Sequence, residues 1–275
     1  MAAPARSPFM PRHTGPRTAL QIIEQVVKQT GAQGRGQTID HVSAGDPLTA
    51  VTGIAVTAMA TLSGLQRAAA AGQNLVVTYD PGFWSSSDSL DGVEGNALFI
   101  QKRDFVREHQ MVVFNLHDHW RERVPDGLNE GMARTLGWTM PRSGAVFDIG
   151  ETTLLALARD LQRKLGGHTM RVVGDPGLPV ARVSMALGNA AQMPTIALLN
   201  GPADLVLAGY CREWEAVEYV QDMIASGSKK AMILLGEVLS VEPGMRFCAD
   251  WLKTFITDLP IGHVPVGEGY WSPSA

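Results

Sequence analysis

The chain is poor in cysteine and has no long apolar run. Its 275 residues include two cysteines, Cys211 and Cys248, which follow no metal-ligand spacing. This excludes a disulfide framework and a zinc knuckle, and we expect two reduced thiols. No apolar stretch approaches the roughly 20 residues that cross a bilayer. We therefore expect a cytoplasmic protein with no membrane partner.

The sequence also lacks an excess of charge of one sign. The formal net charge is −4, and the charged residues, 18% of the total, are spread along the chain. Without a basic stripe, nucleic acid and anionic membranes have no electrostatic footprint to bind. A small-molecule substrate is the partner we expect, and the 45% of apolar residues can supply a sizeable core.

Residues 1–17 lack apolar periodicity and contain four prolines. This composition predicts a disordered leader. An N-terminal export signal that has been removed is the alternative interpretation of the segment.

Further along, short β-branched runs alternate with helical periodicity. Leu75–Thr78 is one such run, and the Ala-rich segment 59–71 before it has the spacing of a helix. Strands that alternate with helices predict an α/β fold with mixed, largely parallel sheets. Pro141, Gly144 and Gly150 interrupt the pattern and predict a domain boundary.

This boundary suggests two interleaved domains. We expect residues 18–140 together with 230–275 to form the first domain and residues 141–229 to form an inserted second domain. Within the second, the turn at residues 174–177 separates two predicted strands and is typical of a hairpin. The helix predicted over residues 212–225 should bury Trp214 on its apolar face.

Polar side chains follow four of the predicted strands. In open α/β sheets, residues just past the carboxyl ends of strands line the ligand crevice, so we expect these side chains to converge. His117 and His119 would point the same way if their segment stayed extended. The candidate catalytic residues are Tyr79, Asp80, His117, His119 and Glu237. The candidate substrate-binding residues are Trp84, Trp120, Arg121 and Tyr210.

These side chains support two kinds of chemistry. Imidazoles beside carboxylates suit zinc, manganese or iron, so Asp80, His117 and Glu237 are candidate ligands of one divalent metal ion. The alternative is no metal, with the same groups acting as acid and base. Structural interpretations stay open as well: an Asx turn at Asp80, a solvated loop around the histidines and an exposed strand end at Glu237.

The residues quoted above, together with their neighbours, resemble one family. The matching segments are Gly45-Asp46-Pro47, Val51-Thr52-Gly53, Asn74 to Thr78 with Pro81, His117 to Trp120 with Pro125-Asp126-Gly127, Arg212 to Glu215, and Leu235-Gly236 with Glu242 to Met245. In order and spacing, from about Thr18 to Pro273, the chain resembles the NIF3-like proteins, also called DUF34 or type 2 GTP cyclohydrolase homologues. The resemblance implies two interleaved α/β domains, a hexamer built as a trimer of dimers, and a dinuclear divalent-metal centre.

The sequence departs from that family at the positions where the metals would bind. Tyr79 and Asp80 stand where the family has His-His or His-Glu, Arg121 stands at a ligand position four residues after His117, Glu237 and Val241 stand for a histidine and a glutamate, and Tyr210 stands for a glutamate. A permanent cation at about 4 Å from a dication costs several kcal/mol in a partly desolvated cleft. We therefore expect the dinuclear centre to be lost. Either Asp80, His117 and Glu237 hold a single ion, or Arg121 pairs with Asp80 or Glu237.

Three functions remain. The first is a divergent enzyme that acts on a heterocycle or amide-like small molecule by acid/base chemistry. The second is a mononuclear metal-dependent hydrolase or cyclohydrolase. The third is a non-catalytic binding or scaffold protein that forms rings.

Overall fold

A computed structural model describes residues 15–33, 38–85, 92–142 and 144–273. Most of the predicted leader, residues 1–14, lies outside them. Arg17, at the end of that segment, donates hydrogen bonds from its guanidinium to Gln25 and Asp258. No helix in the described part of the chain is both long and apolar enough to span a membrane.

Helices and strands alternate along the chain. In order they are α1 (Ala19–Thr30), β1 (His41–Ala44), β2 (Ile54–Thr57), α2 (Leu62–Ala70), β3 (Leu75–Thr78), α3 (Ala97–Glu108), β4 (Val112–Asn115), α4 (Asp118–Glu122), α5 (Gly127–Leu136), β5 (Val146–Thr153), α6 (Leu154–Leu165), β6 (Arg171–Val173), β7 (Pro179–Asn189), α7 (Gln192–Leu199), β8 (Leu205–Tyr210), α8 (Glu218–Ala225), β9 (Ala231–Leu234), α9 (Glu237–Leu252) and β10 (Ile261–His263). A kinked turn, Glu213–Val217, precedes α8, and Glu215 within it has non-helical backbone angles, φ −104° and ψ −106°.

Local sequence explains where the helices begin. At α1, the Thr18 hydroxyl accepts a hydrogen bond from the Gln21 N–H and the Gln21 side chain accepts one from the Thr18 N–H, which is a capping box. Asn96 caps α3 in a similar way, since its side-chain oxygen accepts from the first-turn N–H groups.

The first sheet has the order β1-β4-β3-β2-β10. Strands β10, β2, β3 and β4 are parallel, and β1 is antiparallel at the edge. Every residue of β2, β3 and β4 is buried, as expected for parallel strands that are covered on both faces. The bounds of β3 are those predicted from the sequence.

The second sheet has the order β5-β7-β8-β9-β6, with β7, β8 and β9 parallel and antiparallel strands at both edges. The prediction of an α/β fold with mixed, largely parallel sheets is confirmed. The sheets divide the chain after Leu234, because β9 belongs to the second sheet, whereas the predicted domain boundary lies at residue 229. The division into domains as such stays a prediction.

Two local predictions in the second sheet are wrong. The turn at residues 174–177 does not form a hairpin, because β6 and β7 stand apart in the sheet and β6 pairs with β9 instead. Trp214 is not in the core and is 63% exposed. It lies directly before the kink at Glu215, which interrupts the predicted helix, and the Arg212 guanidinium lies over its ring.

Helix α9 joins the two sheets. It packs on β2 and β10 of the first sheet and on β7 and β8 of the second. One continuous core therefore includes Val56 of the first sheet and Leu207 of the second. The N-terminus of α9 follows the carboxyl end of β9, so its first residue lies where strand ends of both sheets meet.

Candidate active site

Tyr79 lies in the centre of the candidate site. It directly follows β3, its side chain is 3% exposed, and the Asn115 side-chain amide donates a hydrogen bond to its carbonyl. The Tyr79 ring lies 4.4 Å from the His117 ring, centroid to centroid, at a tilt of 34°. Burial raises the pKa of the Tyr79 phenol well above its ordinary value, although the Arg121 cation opposes this shift. Tyr79 is therefore a neutral hydrogen-bond donor.

Gly188, near the end of β7, makes room for Tyr79 and Glu237. A Cβ built on Gly188 would lie 3.1 Å from the Tyr79 Oη and 3.5 Å from the Glu237 Oε1. The Tyr79 phenol, from the first sheet, and the Glu237 carboxyl, next to the second, therefore both lie close to Gly188. Gly188 has a φ of +74°, which L side chains rarely adopt, so this position favours glycine on two grounds.

Asp80 presents a half-buried carboxyl next to Tyr79. Its backbone N–H donates to the Ala58 carbonyl, which fixes the turn after β3. Its Oδ2 atom is buried and has no hydrogen-bond partner among the described residues. Burial raises the pKa of Asp80 to about 7, so this carboxyl changes its protonation near neutral pH.

Glu237 is the first residue of α9. Burial, and next the charge of Asp80, raise its pKa to about 8, while the Arg121 cation opposes the increase. The two carboxyls therefore sense each other, and their protons leave in coupled steps. Both sequence-predicted carboxyls therefore belong to one half-buried group.

Arg121 does not pair with Asp80 or Glu237 as expected. Its Nε lies 3.1 Å from the Asp126 Oδ2, and its Nη1 donates to the Leu187 carbonyl at 3.2 Å. Asp126 caps α5 by accepting from two backbone N–H groups. Burial raises the pKa of Asp126, and the Arg121 cation opposes that shift.

Asp126 is a site residue that the sequence reasoning missed. The signal in the sequence is the Asp126-Gly127 pair ahead of an apolar helix, which is typical of a helix cap. The link of Asp126 to Arg121 depends on how α4 and α5 pack, which the sequence pattern does not encode.

The two histidines do not lie on a strand. The segment after β4 turns directly into α4, so the prediction that His117 and His119 point the same way on an extended chain is wrong. Their Nδ1 atoms contact different carboxylates: Asp118 lies 2.9 Å from His117, and Asp40 lies 2.7 Å from His119.

Asp40 explains this helical turn. Its carboxylate accepts from the backbone N–H groups of His117, Asp118 and His119. It thus satisfies the free donors at the start of α4 and orients the His119 ring. The sequence does not identify Asp40 as a site residue, because it is 77 residues from His117 in the chain.

The remaining candidates are spread over several environments. Trp84 is 56% exposed and lines a cavity of about 290 Å³ together with Asp80. Tyr210, at the end of β8, is 48% exposed. Trp120 is fully buried and packs on Trp251 and Phe247, so it belongs to the core rather than to a ligand-facing surface.

The donor set does not fit the dinuclear metal centre that the family resemblance implies. Among the residues the structure describes, no group of three or more His, Cys, Asp or Glu side chains is arranged to hold a metal ion. The Arg121 cation acts on both Tyr79 and Glu237. A buried phenol and a guanidinium in place of imidazoles therefore disagree with two adjacent dications.

The fold and the site together define a class: an α/β protein of two sheets joined by a shared helix, with a buried phenol and two half-buried carboxyls grouped near the strand ends. The family model of Duf34/NIF3 (NGG1p interacting factor 3) matches residues 19–228. The chain therefore belongs to the DUF34/NIF3 family.

Solved structures share this fold. A Bacillus cereus protein related to NIF3 has a TM-score of 0.75 at 10% identity, over 94% of this chain and 99% of that one. The Staphylococcus aureus hypothetical protein SA1388 has a TM-score of 0.72 at 14% identity, over 94% and 99%. Reduced HcgD from Methanocaldococcus jannaschii has a TM-score of 0.63 at 15% identity, over 90% and 98%. No curated protein sequence matches significantly.

Proposed function

We propose that this protein is an enzyme that acts on a small molecule by acid/base chemistry in the cleft formed by Tyr79, Asp80, His117 and Glu237. The observation that carries the proposal is the pair of half-buried carboxyls, with pKa values of about 7 for Asp80 and about 8 for Glu237. General acids and bases work best when their pKa lies near the working pH. A raised pKa makes the folded protein less stable at neutral and higher pH, so a carboxyl with a purely structural role does not benefit from it.

The roles follow from the surroundings of each group. Near neutral pH the coupled pair loses one proton, which leaves one carboxylate to accept a proton from the substrate and one carboxylic acid to donate. Tyr79 stays protonated and offers a hydrogen bond to charge that develops on the substrate. His117 packs on the Tyr79 ring and can relay a proton.

A heterocycle or an amide-like compound is the substrate class we propose. Such substrates react by gaining a proton at one atom while losing one at another, which two coupled carboxyls can serve together. The cavity of about 290 Å³ beside Asp80 is at the small end of the range for ligand sites, and Trp84 offers a ring against which a planar substrate can pack.

Direct measurement of the two pKa values tests the carrying observation. A ¹³C NMR titration of side-chain carboxyls should show two that titrate between about pH 6 and pH 9. One of them should vanish in Asp80→Asn and the other in Glu237→Gln. If every carboxyl titrates below about pH 5, the proposal fails.

Activity is tested on a panel of heterocycles and amides in the presence of chelator. Turnover should fall at least about a hundredfold in Asp80→Asn and in His117→Ala. The matched controls Asp222→Asn and His109→Ala change exposed side chains away from the site and should keep the activity. Equal rates in all four variants would contradict the proposal.

A single metal ion held by Asp80, His117 and Glu237 stays a prediction. Elemental analysis of protein purified without chelator decides it: a stoichiometric zinc, manganese or iron content that is lost in Asp80→Asn would replace the metal-free interpretation. The ring-forming scaffold is the remaining alternative, and a thermal-shift screen in which no compound of the panel stabilises the protein would favour it.

The assembly and the location are proposals as well. The hexamer, as a trimer of dimers, rests on the family resemblance, and light scattering coupled to size exclusion tests it by mass. The cytoplasmic location rests on the cysteine usage and composition, and cell fractionation tests it.

A further inference from the structure

A second groove lies between α5 and α9, and a close contact of two helix backbones forms it. A Cβ built on Gly131 of α5 would lie 2.5 Å from the Gly244 Cα and 2.6 Å from the Pro243 carbonyl oxygen on α9. The two helices therefore touch without an intervening side chain. The longer side chains beside this crossing line a groove of about 490 Å³, within the range for small-molecule sites.

Three arginines and two aromatic rings line this α5–α9 groove. They are Arg123, Arg134, Arg246, Phe247 and Trp251. The Arg134 guanidinium lies 4.5 Å from the Phe247 ring centroid, and the Arg123 guanidinium lies 5.3 Å from it. Because the guanidinium groups lie over the face of the aromatic ring, cation–π attraction fixes their positions before a ligand binds.

The groove carries more positive charge than its carboxylates neutralise. Arg123 and Arg134 share the single carboxylate of Glu130, at 2.6 Å and 2.7 Å. Arg246 is exposed and makes no hydrogen bond or ion pair within the described residues. Asp250 lines the groove too, but it pairs with Lys253 at 2.8 Å.

We propose that the α5–α9 groove binds a small ligand that carries a phosphate group on a planar ring. Guanidinium groups bind phosphate in a bidentate manner. Glu130 neutralises one of the three arginine charges, and a phosphate dianion matches the two that are left better than a monoanionic carboxylate does. Phe247 and Trp251 offer apolar ring surface to the planar part. This site is separate from the acid/base cleft and does not depend on the function proposed there.

Phenyl phosphate is the probe, titrated calorimetrically into the full-length protein at low salt. It should bind more tightly than inorganic phosphate, benzoate or phenol, and its affinity should fall as salt is added. Arg246→Gln should weaken it at least about tenfold. The Arg246 guanidinium has no hydrogen-bond or ion-pair partner among the described residues, so this variant should fold normally.

Arg212→Gln is the matched control, because Arg212 is an exposed arginine that stacks on a tryptophan elsewhere in the chain. It should leave the affinity for phenyl phosphate unchanged. Phenyl phosphate should also alter the intrinsic fluorescence of the protein, and Trp251→Phe should remove that response.

Three results would overturn the proposal. The first is an absence of phenyl phosphate binding at concentrations on the order of 10 mM. The second is an affinity that Arg246→Gln and Arg212→Gln change equally. The third is benzoate binding as tight as phenyl phosphate, which would mean that the groove has no preference for phosphate. If Arg246→Gln instead changes the molecular mass in solution while phenyl phosphate does not bind, the groove is a contact between copies of the chain.

Discussion

Replacing Asp80 by asparagine should make the protein more stable at high pH and change its stability less at low pH. Asp80 has a pKa of about 7 in the folded protein, against an ordinary value of 3.8. Between these two pH values the folded state binds more protons at this group than the unfolded state does. The free energy of unfolding therefore falls as the pH rises from about 4 to about 7, and the loss is complete above that range.

The magnitude follows from the two pKa values. At about 1.4 kcal/mol per pKa unit, the ionised Asp80 carboxylate destabilises the folded state by about 4 kcal/mol at pH 9. Asparagine does not ionise, so the stability of Asp80→Asn relative to the wild type should grow by about 3 to 4 kcal/mol between pH 4 and pH 9. The substitution should also lower the pKa of Glu237, because the Asp80 charge helps to raise it.

Urea unfolding at a series of pH values is the assay, with the midpoint and the slope recorded for each variant. A buried asparagine amide without a partner costs about 1 to 3 kcal/mol, but this cost does not change with pH. The pH dependence is therefore the readout. Asp222→Asn, at an exposed position on α8, controls for the same chemical change and should shift stability by less than about 0.5 kcal/mol at every pH. Parallel pH profiles for wild type and Asp80→Asn would refute the reasoning.

Three further substitutions test other parts of the structure. Arg121→Gln should raise the pKa of Glu237 further, since the Arg121 cation lowers it, and the NMR titration would show the carboxyl signal moving to higher pH; an unchanged signal would contradict this. Gly188→Ala should destabilise the protein by about 1 to 3 kcal/mol, because it combines an unfavourable φ with contact against the Tyr79 Oη, and urea unfolding measures it. Trp120→Ala should cost about 3 to 5 kcal/mol, because the side chain is fully buried; a near-neutral result would mean that Trp120 is not a core residue.

The sequence was informative where local chemistry decides the structure. The apolar, β-branched run at β3 predicted a buried parallel strand with the observed bounds, and the turn after it delivered Tyr79 and Asp80 as expected. The alternation of strands and helices predicted the fold class. These features follow from periodicity and burial, which need only the neighbouring residues.

The sequence pattern does not predict the structure where residues that are far apart in the chain come into contact. The segment after β4 is helical because Asp40 accepts from its free N–H groups, and nothing near His117 announces that partner. The β6 strand pairs with β9 instead of β7 because sheet order is set by packing around the whole sheet. Trp214 is exposed because it lies before a backbone kink at Glu215, so the helical spacing predicted over residues 212–225 does not hold there.

The sequence by itself determined that Tyr79, Asp80 and Glu237 stand at strand ends, and the family resemblance implied that Arg121 occupies the position of a metal ligand. Only the tertiary structure decided which of these groups share a cleft. It placed Arg121 against Asp126, brought Glu237 and Tyr79 together over Gly188, and buried the Oδ2 atom of Asp80. The physical reason is that a pKa depends on burial and on charges that are close in space, and both are set by the packing of helices and sheets.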